Sequence, residues 1–241
     1  MKNLTPYLAI LMVVGLAVLS RSGMAQSTSR LYHSPDGYSI LVPASWNVLD
    51  SETSATLAAT VSEKLNFSMS STRPSLVLFD PKSADYSNNI NVIVEPNSPD
   101  SNPSGSDVAS YRQALQSSMS NGVSLTVLSA KAAPYCGHTA IEAELELSTG
   151  GKNIRELQVA VAEGSNMYIM TCAGPDATYN SLRPTFEQTV NSLAIDPGRS
   201  SPSKPMSIWL KDAIIGGLVG LGLAFFSGLS KPKQGPLSGK G

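Results

Sequence analysis

The chain is poor in the residues that most often carry out chemistry. Its 241 residues include only two histidines and two cysteines, and aromatic residues make up 6%. Two histidines far apart in sequence do not indicate a metal site, and the cysteines form no C-x-x-C redox motif. Neither the nucleophile motif G-x-S-x-G nor the phosphate-binding G-x-x-x-x-G-K-[ST] is present. The sequence therefore predicts no enzyme, no catalytic residue, no cofactor and no metal.

Charged residues are also scarce, and their distribution argues against a nucleic-acid partner. Charged residues are 15% and hydrophobic residues 41%, as in a folded protein. Residues 30–197 carry 17 Asp/Glu against 9 Lys/Arg, a net charge of −8, whereas the whole chain has −1 because both flanks are basic. An acidic body collects phosphates poorly, so we expect no nucleic-acid partner.

The first 25 residues have the three parts of an export signal. A basic start, "MKN", precedes the apolar run "LAILMVVGLAVL" and the small-x-small site "GMA". This pattern predicts cleavage after Ala25. An uncleaved anchor is the alternative, although the apolar run is short for a membrane span of roughly 20 residues.

The two cysteines, Cys136 and Cys172, both lie in the exported part of the chain. Outside the reducing cytosol an even pair more often forms a disulfide than two thiols. The bond would close a loop of about 37 residues and stabilise the fold by about 3–4 kcal/mol in the chain-entropy model. Two unpaired buried thiols are the alternative.

A second apolar segment, 208–229, predicts a transmembrane helix. Its glycines begin a G-x-G-x-x-G pattern that fails at Phe225, and no predicted strand precedes it, which excludes a dinucleotide site. Its length corresponds to about 33 Å of helix, close to a hydrocarbon core of roughly 30 Å. Trp209 suits the interface, and the basic tail 230–241 suits the cytoplasmic side. A surface-lying or packing helix is the alternative.

Small residues recur at every fourth position of this segment. They form one ridge on a helix, consisting of Gly216, Gly220, Ala224 and Gly228. Such a ridge lets two helices approach closely in lipid, which predicts association with itself or with a partner's helix. The ordinary glycine content of membrane spans explains the pattern equally well.

Between the signal and a Pro/Ser-rich linker at 198–207, residues 26–197 predict one exported domain. Two strands around a Pro-Asp-Gly turn open it, and runs such as "NINVIVEP", "TAIEAELEL" and "NIRELQVAVA" predict further strands. One helix is expected to be capped by Ser106 or Asp107, and another to begin near Pro184. Strand runs and hairpins with helices between them indicate an α+β layered sandwich.

Three stretches carry a family resemblance. "YHSPDGYSILVPASW", "NINVIVEP" and "MYIMTCAGPDATYNSLRPTFEQTVNSL" resemble the opening, a central strand and the closing strand and helix of the PsbP/Mog1-like families. The resemblance covers about residues 31–195. It implies an antiparallel sheet with helices on both faces, and a binding module rather than an enzyme. PsbP proteins dock on a membrane complex and Mog1 binds a small GTPase; export argues against the second kind of partner.

One strand brings acidic residues together. In "HTAIEAELE", alternation puts His138, Glu142, Glu144 and Glu146 on one face, where they could hold a divalent cation. A solvated strand face, partly neutralised by Arg155 across the hairpin, explains the same pattern. We favour the solvated face and predict no metal ligands here.

These features together predict a non-catalytic binding module. The domain would lie on the periplasmic side of the inner membrane, held by one helix in the lipid bilayer. It would act as an accessory or assembly subunit of a membrane protein complex, or as a homo-oligomer. The alternatives are a protein of the envelope that binds a small ligand or divalent ion, and a hydrolase of envelope substrates.

Overall fold

A computed structural model describes residues 29–49, 54, 74–83, 88–96, 103–117, 124–149 and 151–196. The predicted signal peptide, the segment 208–229 with its small-residue ridge, and the tail lie outside these residues. Within the part described, no helix is long and apolar enough to cross a bilayer. The strands are β1 Arg30–Ser34, β2 Tyr38–Val42, β3 Asn47–Val48, β4 Leu76–Phe79, β5 Asn89–Pro96, β6 Ser124–Tyr135, β7 His138–Thr149, β8 Lys152–Glu163, β9 Asn166–Pro175 and β10 Ala194–Ile195; the helices are α1 Gly105–Ser117 and α2 Asp176–Val190.

The strands form two antiparallel sheets. The large sheet has seven strands in the order β3-β4-β5-β9-β8-β7-β6, and the small sheet has three in the order β1-β2-β10. Strands β6 to β9 follow one another through hairpins, so each pairs with its neighbour in sequence. Strand β5 then pairs along its full length with β9. The sheet is therefore continuous, with β9 at its centre.

The large sheet is buried on both faces by different elements. On the first face, Leu157, Met170 and Cys172 pack with the small sheet and with α2. On the second face, Ile141, Ala160 and Ile169 pack with Tyr111 and Leu115 of α1. This arrangement confirms the predicted α+β sandwich with a helix on each face.

The first hairpin folds as its turn sequence predicts. Gly37 adopts φ 82°, a conformation that glycine reaches without steric cost. Its amide donates to the carbonyl of Ser34 at 3.2 Å. The carbonyl of Gly37 accepts from the amide of Asp196 at 3.0 Å, directly after β10. The end of the domain is thus fixed to the β1–β2 turn.

The cap of α1 differs from the prediction. The Ser104 hydroxyl accepts from the Asp107 amide at 3.3 Å, and the Asp107 carboxylate accepts from the Ser104 amide at 2.6 Å. This reciprocal pair is a capping box with aspartate in place of glutamate. The cap is Ser104 rather than Ser106 or Asp107, because only this spacing lets both side chains satisfy a backbone amide.

The start of α2 also differs from the prediction. The helix begins at Asp176, and Pro184 lies inside it rather than in its first turn. A proline leaves the carbonyl four residues earlier without its helical donor. Both Pro184 and Asn180 are exposed, so water can serve that carbonyl. Burial of Tyr179 and Phe186 on the opposite side offsets the cost.

Helix α2 lies close to the central strand where β9 has a glycine. A β-carbon at Gly174 would come within 3.1 Å of the Leu182 Cδ1 atom. This is tighter than ordinary van der Waals contact, so a larger residue at this position would require the Leu182 side chain to shift by a few tenths of an ångström. Gly174 therefore lets the Leu182 side chain pack directly against β9.

Candidate functional site

A charged network on the first face joins α2 to the large sheet. Glu144 of β7 accepts from two arginines, Arg183 at 2.5 Å and Arg155 at 3.4 Å. Arg183 also contacts Glu187 one helical turn later, with its Nε atom 2.7 Å from the carboxylate. Arg155 of β8 lies over the ring of Tyr179, 4.7 Å from its centre. The network connects three elements through one carboxylate.

The electrostatics of this network favour ionised arginines. Burial alone would lower the pKa of Arg183, but hydrogen bonds to Glu144 and Glu187 more than offset it and raise that pKa. The side chains of Glu144, Arg155 and Arg183 keep only 21–27% of their surface exposed. Opposite charges this close neutralise one another, so the network fixes α2 in place and presents little net charge to a partner.

The face of β7 that carries His138, Glu142, Glu144 and Glu146 does not form one cation site, because its side chains contact different partners. Glu142 accepts from the Tyr135 hydroxyl at 2.5 Å and lies 3.2 Å from the Lys131 ammonium. His138 lies 3.1 Å from Glu163 through its Nδ1 atom. Among the residues with a described position, no group of three or more His, Cys, Asp or Glu side chains converges as metal ligands do.

The β7–β8 register determines which carboxylates of β7 Arg155 contacts. Arg155 is directly opposite Glu146 in the β7–β8 pair, and it reaches Glu144 diagonally. The predicted neutralisation of the acidic strand by Arg155 is confirmed.

A row of polar side chains is buried on the second face. By strand alternation Asn91 of β5, Thr171 of β9 and Gln158 of β8 lie side by side, because Thr171 is opposite both of the others. In the next row Ala173 lies between Asn89 and Glu156. All of these side chains lack exposed surface. We call the five polar residues Asn89, Asn91, Glu156, Gln158 and Thr171 the polar row.

Part of the polar row is held by hydrogen bonds. The Tyr111 hydroxyl of α1 donates to the Gln158 carbonyl oxygen, and the Gln158 amide donates to the Thr171 hydroxyl at 3.2 Å. Burial and the nearby carboxyl of Glu156 raise the pKa of Tyr111, which keeps its hydroxyl a donor. These bonds fix α1 over β8 and orient Gln158.

Two members of the polar row have no such partner. Both carboxyl oxygens of Glu156, and both side-chain polar atoms of Asn91, lack a hydrogen-bond partner within the part of the chain described. Burial raises the pKa of Glu156 well above its ordinary value. Unpartnered polar groups in a protein interior cost free energy and call for an explanation. The polar row is therefore our candidate functional site.

The predicted disulfide is not present, since Cys136 and Cys172 are both free. Cys136 lies in the β6–β7 turn, and its thiol donates to the Val190 carbonyl at 3.3 Å. Cys172 lies in the middle of β9 and faces the first core. The strand register puts the turn level with Asn166, six residues from Cys172, or roughly 20 Å along the strand. A disulfide needs α-carbons within about 7 Å.

We therefore expect the thiols to behave independently. Burial raises the pKa of both cysteines, and Cys172 is fully enclosed, so neither forms a reactive thiolate easily. In the folded protein a thiol reagent should modify Cys136 slowly and Cys172 only after unfolding. Labelling of the intact protein and of Cys136→Ser checks this. An intact mass lower by two hydrogens, with no free thiol after unfolding, would instead establish the disulfide.

The geometry defines a class of fold, an antiparallel sheet covered by a helix on each face. A family model, PsbP, matches residues 27–195. The chain belongs to the PsbP family. No curated protein matches the sequence significantly.

Solved structures share the fold at low sequence identity. Cyanobacterial PsbP (CyanoP) from Synechocystis has 14% identity and a TM-score of 0.51, covering 72% of this chain and 96% of its own. LpqN of Mycobacterium tuberculosis, described as involved in cell envelope biogenesis, has 15% identity and a TM-score of 0.45, over 70% and 91%. The Ran-binding protein Mog1p of Saccharomyces cerevisiae has 8% identity and a TM-score of 0.43, over 70% and 96%. At these identities the likeness is to the fold alone.

Proposed function

We propose that this protein is a non-catalytic binding module that is tethered to the inner membrane and serves as an accessory or assembly subunit of a membrane protein complex. The spacing along the chain carries the proposal. The family domain ends at residue 195, and the apolar segment predicted to span the membrane begins at 208. Twelve residues separate them, and they reach at most about 40 Å when fully extended. The domain would therefore stay close to the bilayer surface.

The last strand of the domain fixes the point at which the linker leaves it. Strand β10 pairs with β2, and the Asp196 amide is bonded to Gly37. The linker would therefore begin beside the β1–β2 turn.

Co-purification from gently solubilised membranes tests the proposal. The intact chain is compared with one truncated after Pro205, and bound proteins are identified by mass spectrometry. We expect stoichiometric membrane-protein partners with the intact chain. Partners kept by the truncated chain would assign recognition to residues 26–197, and partners lost would assign it to the membrane segment. A preparation free of partners in both cases would refute the subunit proposal.

The small-residue ridge gives a sharper prediction about the tether. Replacing Gly220 with Ile puts a branched side chain in the middle of the ridge, which should separate two closely packed helices. Crosslinked species in the membrane should decrease several-fold. Leu221→Ile, one position away on another face, serves as the matched control. Unchanged crosslinking in Gly220→Ile would show that the ridge makes no contact.

A further inference from the structure

The polar row contains a carboxyl group that nothing in the described part of the chain neutralises. Glu156 lies in β8 with no exposed surface, and both of its oxygens lack a hydrogen-bond partner there. Burial is the cause of its raised pKa, and among the residues with a described position no cationic side chain counteracts it. Protonation is one way for such a group to avoid a buried charge. Pairing with a bound cation is the other.

The neighbours of Glu156 supply the oxygens that such a cation needs. Asn91 has an unpartnered amide oxygen on the same face, and Asn89 is opposite Glu156 across β9. Between them lies Ala173, a small residue whose methyl group packs against Ile154 of β8. Strands are spaced at about 5 Å, so the backbones of Asn89 and Glu156 are roughly 10 Å apart. A Glu and an Asn leaning over Ala173 can close that gap around a small cation.

We propose that the polar row is a binding site for a small cation held by oxygen ligands, with the Glu156 carboxylate as its counter-charge and amide oxygens completing the shell. The chemistry suits either a hard metal ion, with ligand distances of about 2.3–2.6 Å for Ca²⁺, or the ammonium group of a small amine. The site is distinct from the His138–Glu146 strand face, which lies on the other side of the sheet. It is independent of whether the domain docks on a membrane complex.

Binding should be coupled to release of a proton from Glu156. The titratable group that faces it from α1 is Tyr111, whereas the thiol of Cys172 on β9 lies on the other face of the sheet. The pKa values of both are raised, so both stay protonated near neutral pH. A cation that pairs with the carboxylate must displace its proton, about one per ion bound. The heat of binding will then depend on the ionisation enthalpy of the buffer.

Calorimetric titration of the full chain in detergent tests the site. CaCl₂ and methylammonium chloride are titrated separately, in two buffers of different ionisation enthalpy at the same pH. We expect saturable, buffer-dependent heats with one of the two probes. The probe that binds shows whether the site takes a metal ion or an ammonium group. Glu156→Gln, which keeps the shape, should weaken binding at least tenfold. Glu146→Gln, on the opposite face of the sheet, should bind as the original protein does.

A second variant distinguishes loss of the site from a folding defect. Asn91→Leu removes an oxygen ligand without touching the carboxyl, and it should also weaken binding several-fold. Circular dichroism confirms that each variant is folded before titration. Flat heats with both probes, or equal affinity in Glu156→Gln, would overturn the proposal.

Discussion

Phe186→Ala should destabilise the domain more than any single change to its charged network. The ring has no exposed surface and lies between Trp46 and Tyr179, at centroid distances of 6.2 Å and 5.8 Å. Truncating a buried phenylalanine costs about 3–5 kcal/mol, through lost burial and the cavity left behind. At about 2–4 °C per kcal/mol for a chain of this size, the melting temperature should fall by roughly 10 °C.

The reason for this large effect is the position of Phe186 in the fold. It lies where α2, the large sheet and the loop carrying Trp46 meet. Leu128→Ala is the control, because 44% of the Leu128 side chain is exposed and surface changes usually stay within about 0.5 kcal/mol. Thermal and urea unfolding measure both variants. A loss below 1 kcal/mol in Phe186→Ala would mean that α2 does not pack as described.

Glu156→Gln should remove a pH dependence from the stability of the protein. Burial raises the folded-state pKa of Glu156 above its ordinary value of 4.5. Below that value both states are protonated, so the stabilising contribution is fully present. As the pH rises, the unfolded chain ionises while the folded one keeps its proton. Stability then falls by about 1.4 kcal/mol per pH unit until the folded pKa is passed.

The variant lacks this titration. Its free energy of unfolding, relative to that of the original protein, should therefore increase from pH 4 towards neutrality. Unfolding by urea at several pH values, with a chelator present to remove metal ions, measures the difference. Tyr111 faces Glu156 from α1 and keeps its proton over this range, so it adds no titration of its own. Leu128→Ala, which removes an exposed apolar side chain and no titratable group, should follow the original profile. Parallel profiles for Glu156→Gln and the original protein would show that Glu156 is not buried in its neutral form.

The sequence was sufficient to predict most of the sheet. Strands β2, β5 and β8 stand out by their β-branched residues, and the Pro-Asp-Gly turn marks the first hairpin. Trp46 is buried against Phe186. The pairing of β5 with β9 joins residues that are distant in sequence. No local sequence pattern specifies this pairing or its register.

The polar row could not be predicted for a physical reason. In "NIRELQVAVA", Glu156 and Gln158 alternate with Leu157 and Val159, as in a strand with one solvent-exposed face. The second face is instead covered, because Tyr111 of α1 packs over it and bonds Gln158. Which face of a strand is covered depends on tertiary packing, and periodicity does not report it. The disulfide prediction failed similarly, because the distance between Cys136 and Cys172 depends on the register of the β7–β9 strands.

The two-residue strand β10 has a mechanical consequence. If residues 208–229 are held in a bilayer, any pull on the domain acts through the linker on Ala194 and Ile195 first, and in the described part of the chain these two residues pair only with β2. Their release, together with the Asp196–Gly37 bond, would lengthen the tether by roughly 10 Å. The extension would stop at Leu193, which is buried in the same core as Phe186. The joint between domain and membrane would therefore act as a short extensible strap that yields before the domain unfolds.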